Sequence, residues 1–203
     1  HSSLSPALDM TSSENIRDEQ LERLARGIAR CRRCRLHLTR THAVPGEGSS
    51  LASVMLIGEA PGEKEDRLKR PFIGATRPFF DTLLRDFKLS REDLFITSSV
   101  KCRPPGNRNP RDDELRACRE NWLIKQIEVI DPSVLVLLGA IAVRCLYGNC
   151  GKLKELHGSI QEYSGRTALI TYHPTAGMRF PWIRKAMYDD FARLWDVLSG
   201  ATN

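Results

Sequence analysis

No stretch of this 203-residue chain approaches the ~20 consecutive apolar residues that a helical membrane span requires. No charged-then-apolar secretory leader is expected either. Without one, the six cysteines are not expected to pair as disulfides. Metal or cluster ligation in a reducing cytoplasm accounts for them better. Internal repeats and low-complexity linkers are absent too, which argues against solenoids and strings of modules. One domain is expected, because the chain is long enough for a real core and too short for two comfortable ones. The opening HSSLSPALDM, residues 1–10, reads as a vector remnant or a disordered tail, with Met10 as a candidate native start. The domain is therefore expected over residues 11–203, as a monomer.

What is present points to an ordinary globular protein, with aliphatic residues plentiful and glycine and proline unexceptional. The net charge of +6, from 31 basic and 25 acidic residues, favours a polyanionic partner, although many soluble proteins are this basic. Four short apolar runs, Val54–Glu59, Leu94–Val100, Val134–Gly139 and Ala168–Tyr172, lack strict alternation and suit parallel strands covered on both faces. Helical patterns lie around them at Glu19–Arg30, Arg77–Phe87, Arg111–Ile130, Ala140–Leu146 and Pro181–Leu198. Strands alternating with helices predict an α/β fold. The expectation is a three-layer α/β/α domain around a mainly parallel four-stranded sheet.

Ligands of such sheets collect at the C-terminal ends of the strands. Three unusual segments fall there: GEAPGEKED, KCRPPGNR and YHPTAGMR. Cys31 and Cys34 form a C-x-x-C, and Cys102 and Cys118 have fifteen residues between them. Together these four could build a tetrahedral thiolate site for zinc or for an iron–sulfur cluster. Cys145, in an apolar helix, is expected in the core, and Cys150 has no matching context.

Taken in order, Cys31-x2-Cys34, GEAPGEKED, RPFIG, VKCRPPGNRNP with Cys118, and HPTAGMR resemble the family 4 uracil-DNA glycosylases, from about Cys31 to the C-terminus. The resemblance implies a uracil-DNA glycosylase-like fold, a [4Fe–4S] cluster on Cys31, Cys34, Cys102 and Cys118, and a DNA partner, single- or double-stranded, that carries a damaged or modified base. It places the loop of Gly58, Ala60 and Glu59 against the pocket, with Glu59 and Glu65 near the sugar and the attacking water. Phe72 matches the stacking aromatic, Asn107 an asparagine near the water, and His173 the donor to the base carbonyl. Thr175 to Phe180 fill the position of the loop that enters the duplex, with Met178 as the candidate wedge; Arg179, Arg108 and Arg77 are candidate phosphate contacts.

The chain departs from the family's pattern in two places. Ser98 stands where relatives carry an asparagine that reads uracil's Watson–Crick edge. A hydroxyl satisfies only part of that edge, so altered base selectivity is expected. Gly74-Ala75-Thr76-Arg77-Pro78 replaces a run of small residues, and Arg77 could clamp a phosphate or project into the pocket. No lysine sits where these motifs place a nucleophile, so the expected activity is that of a monofunctional glycosylase in base excision repair. The alternatives are a relative of altered base specificity, one that binds DNA without efficient cleavage, and a zinc-dependent nucleic-acid-binding module.

Overall fold

The computed structural model describes residues 6–149 and 151–200. Cys150 and the first five residues of the opening stretch lie outside them. From Pro6 onward that stretch is helical, because α1 runs Pro6–Ala29. The helix expected over Glu19–Arg30 is its second half. Proline is at home in a helix's first turn, where its missing N–H costs nothing.

The four apolar runs become β2 (Val54–Gly58), β3 (Phe95–Ser98), β4 (Val134–Leu138) and β6 (Arg166–Thr171). The expectation of four strands is corrected by two more, β1 (Glu47–Gly48) and β5 (Ile160–Tyr163). The order is β1-β3-β2-β4-β6-β5. The β2–β3, β2–β4 and β4–β6 pairs are parallel, and both edge strands are antiparallel. These edges carried no apolar signal for a physical reason. β1 is two residues long, and β5 is largely exposed. A tight turn through Ser164 and Gly165, both at positive φ, closes the β5–β6 hairpin, as mirror-image two-residue turns do.

Successive side chains of the parallel strands feed two cores. Met55, Ile57, Leu135, Leu137 and Ile170 pack against Ile28 of α1 and against α4 (Asp112–Cys118), α5 (Ile124–Ile130) and α6 (Ala140–Tyr147). Leu56, Ile96, Val136 and Leu169 pack against α3 (Arg77–Asp86) and α9 (Pro181–Leu198). Helices thus cover both faces of the sheet, giving three layers. The helix expected over Arg111–Ile130 is α4 and α5 joined through a π-helical turn at Arg119–Leu123. Short helices α2 (Glu63–Leu68), α7 (Leu153–Leu156) and α8 (Pro174–Arg179) complete the connections.

Candidate active site

The chain runs from β2 to β3 on one side and returns to β4 on the other, so the carboxyl ends of β2 and β4 border a crevice. A cleft of about 690 Å³ opens there, lined by Glu59, Glu65, Phe72, Ser98, Asn107 and His173 among others. Three separate strands therefore deliver the residues that the motifs singled out to one place. Ala60, Arg108, Met178 and Arg179 also line the cleft, and exposed Lys64 and Phe180 join them. Gly58 stands one residue behind Glu59. A Cβ on Gly58 would lie 2.4 Å from the Phe72 ring, so the ring rests on bare backbone.

Phe72 stacks on Phe80 at 4.7 Å and faces His173 at 5.6 Å. Its backbone is left-handed, with φ 51°, a conformation that costs a non-glycine residue energy and survives only when its surroundings impose it. Arg91 does so here, donating to Pro71 O at 2.5 Å and Phe72 O at 3.1 Å. Glu47 and Asp81 hold Arg91 in turn.

Glu59 follows β2 directly and sits under Gly139, where a Cβ would come within 2.7 Å of its Oε1. Burial pushes its carboxyl up to about 7. The Glu65 carboxylate threads between Gly62 and Gly74 and accepts the Gly74 N–H at 2.9 Å. It thereby ties the loop after β2 to the segment after Phe72. Its neighbour Asp66 is buried and accepts the N–H groups of Thr41 and His42.

His173 caps α8. The Thr175 N–H donates to its Nδ1 at 3.1 Å, so Nδ1 is the unprotonated nitrogen and Nε2 carries the proton. Desolvation lowers the imidazole to about 4, which keeps it neutral at ordinary pH. Ser98 closes β3, is buried, and has its carbonyl held by Lys101 Nζ at 2.9 Å. Asn107 also adopts a left-handed backbone, φ 55°, and its Oδ1 accepts from Arg103 Nε at 2.7 Å.

Two expected phosphate contacts are engaged elsewhere. Arg108 grips the buried Glu114 with both terminal nitrogens, at 2.9 and 2.7 Å. Arg77 opens α3 outside the cleft lining and pairs with Asp81 one turn on. It does not project into the pocket, because helix geometry turns its side chain toward that carboxylate. Arg179 and Met178 remain exposed at the rim.

The four motif cysteines converge on the far side of Lys101. Cys31, Cys34, Cys102 and Cys118 line one small cavity of about 20 Å³ with Ile28 and Trp122. Among the described residues, no group of three or more His, Cys, Asp or Glu is arranged to hold a metal ion. N–H groups point at three of the sulfurs: Trp122 Nε1 at Cys31, Arg40 NH1 at Cys102, and the Lys101 amide at Cys118. Burial raises the thiols of Cys34 and Cys102 and pushes Cys118 up to about 12. A bound cationic group is what would hold such a set as thiolates. Cys145 is buried in the core as expected.

Sequence reasoning missed Arg91, Arg40 and the hydrogen bond from Thr175 to His173, because no local pattern announces such contacts. Thr175 and Phe180 bound the segment that the resemblance implies enters DNA, and Phe180 is exposed at its end.

Comparison with known proteins places the chain in a family. The model of the uracil DNA glycosylase superfamily matches residues 45–199. A type-4 uracil-DNA glycosylase of Saccharolobus solfataricus is 40% identical over 190 residues, covering 89% of this chain and 88% of the relative. That of Pyrobaculum aerophilum is 41% identical over 180 residues, 85% of this chain and 91% of its own. That of Thermotoga maritima is 39% identical over 165 residues, 80% and 85% of the two chains. With its strand-end cleft and its four converging cysteines, this chain belongs to the uracil-DNA glycosylase superfamily and, within it, to the type-4 family.

Proposed function

We propose that the protein is a monofunctional DNA glycosylase of base excision repair, which flips uracil out of DNA and hydrolyses its N-glycosidic bond. The observation that carries the site assignment is the meeting of Glu59, Ser98 and His173, each from the end of a different strand, in one cleft that Phe72 also lines. Extruding a base costs a few kcal/mol and needs a snug pocket with an aromatic face. Phe72, held in place by Arg91, supplies that face.

As the bond breaks, negative charge grows on the departing base and positive charge on the sugar. His173 Nε2–H is the donor for the base's carbonyl, and the Thr175 N–H at Nδ1 keeps it in that tautomer. The Glu59 carboxylate stabilises the cationic sugar and takes a proton from the attacking water. Glu65 and Asn107 position that water from either wall. Ser98 faces the base edge with one hydroxyl where an amide would offer a donor and an acceptor together. The protein acts as a monomer in the cytoplasm, with Arg179 on a phosphate and Met178 and Phe180 against the bases around the gap.

Cys31, Cys34, Cys102 and Cys118 would hold a [4Fe–4S] cluster, because the four line one cavity and three of their sulfurs already receive N–H donors. Bound there, it would pin the Cys102–Cys118 segment to the N-terminal C-x-x-C turn. That would fix the Asn107 wall of the cleft relative to α1.

An excision panel tests the function, using single- and double-stranded oligonucleotides with uracil, hypoxanthine, xanthine or a modified cytosine. Uracil release leaving an abasic site, with no adduct trapped by borohydride, is expected. Failure to release any base while DNA is still bound tightly would sink the enzyme assignment. Release of another base in preference to uracil would favour the second reading, an altered specificity caused by Ser98.

A further inference from the structure

Arg40 follows the 3₁₀ turn Arg35–Leu38, where its amide donates to Leu36 O at 3.2 Å. Its half-buried guanidinium reaches back over the cysteine site. NH1 donates to Cys102 Sγ at 2.9 Å. NH2 donates to Ala29 O and Cys31 O, both at 3.0 Å. One planar group thus touches a sulfur of the distal cysteine pair and the backbone that carries the proximal pair. Those partners lie 62, 11 and 9 residues away along the chain.

A guanidinium presents its donors in a rigid fork and keeps its charge at every ordinary pH. The fork matters because the three acceptors lie in different parts of the chain. The charge matters because one of them is a sulfur expected to be anionic when ligated. Trp122 and the Lys101 amide each serve a single sulfur of the set.

We propose that Arg40 is the positioning residue of the four-cysteine site: it brings Cys31-x-x-Cys34 and Cys102 into register before the cluster binds, and it sets the charge beside the Cys102 sulfur afterwards. This rests on Cys31, Cys34, Cys102 and Cys118 being iron–sulfur ligands. Hydrogen bonds and positive charge at a ligating sulfur favour the reduced, more negative cluster and so raise its potential. Loss of an outer partner of a metal ligand weakens metal binding about 10–100-fold.

The test compares full-length wild type, Arg40→Gln, Arg40→Lys and Arg32→Gln. Iron and sulfide per chain, iron loss to a chelator, and the midpoint potential of the loaded fraction are measured. Arg32 is exposed between Cys31 and Cys34, so its variant removes the same formal charge without removing the clamp. Arg40→Gln is expected to hold iron about 10-fold or more weakly and to shift the midpoint potential of the remaining cluster to more negative values. Arg40→Lys should retain most of the potential but not the iron affinity, and Arg32→Gln should retain both.

Wild-type iron retention in Arg40→Gln overturns the proposal. So does weakened retention with an unshifted potential, which would mean a general loss of packing. If Arg40→Gln yields no soluble protein, Arg40→Lys decides, and wild-type retention there overturns it equally. Absence of iron and sulfide from the wild type would overturn the cluster assignment and this inference together.

Discussion

Glu59 gives the protein a pH dependence near neutrality. Its carboxyl titrates at about 7, above the ordinary 4.5, so the native state holds the proton more tightly than the unfolded chain does. That contribution to stability is present at low pH and lost as pH rises through about 7. Glu59→Gln removes the titration. It should gain about 3 kcal/mol of stability relative to wild type between pH 4 and pH 8.5, as read by urea denaturation. Equal differences at the two pH values would refute the burial account. Wild-type excision should rise with pH through about 7, while Glu59→Gln stays low throughout. His173 adds no limb in that range, because it is already neutral above about 4. Ser98→Asn should increase uracil release at least several-fold, and flat or reduced single-turnover rates would show that Ser98 does not read the base edge.

Among the elements, α8 is the one that the proposed function sets against DNA. Gly177 is a buried residue of that helix. A Cβ there would lie 2.5 Å from Met187 Sδ and 2.8 Å from the Phe79 ring. The glycine lets α8 press against α3 and α9 together, so Gly177→Ala should cost about 1–3 kcal/mol through overpacking, measured as a lowered urea midpoint. An unchanged midpoint would mean that the neighbours move aside freely. Just beyond, Phe180 is 45% exposed and Trp182 59% exposed, next to the solvent-facing Arg179. Stacking on a base is worth about 1–3 kcal/mol. Phe180→Ala should therefore weaken DNA binding by at least 5-fold with the melting temperature unchanged, as titrated by anisotropy. Equal affinity would remove Phe180 from the interface. The parallel strands and long helices were legible because burial on both faces leaves continuous apolar runs and one-sided burial leaves a helical period. The β5 edge strand left neither mark.

Across the whole molecule the net charge of +6 predicts a strong electrolyte effect. The logarithm of the DNA-binding constant should fall linearly with the logarithm of salt concentration. Arg179→Gln should reduce that slope by about 1, whereas Arg77→Gln should leave it nearly unchanged because Arg77 is paired with Asp81. A reversed pattern would move the phosphate track to the start of α3. The sequence by itself determined the layer order, the four cysteines, and the strand ends from which Glu59, Ser98 and His173 project, because apolar runs and motif spacing are written locally. Only the tertiary structure decided that Arg108 is spent on Glu114, that Thr175 sets the His173 tautomer, that Arg91 holds Phe72, and that Arg40 spans both cysteine pairs. Those outcomes depend on which polar groups meet once the chain is folded. The Arg40–Cys102 contact, across 62 residues, leaves no periodicity in the sequence to announce it.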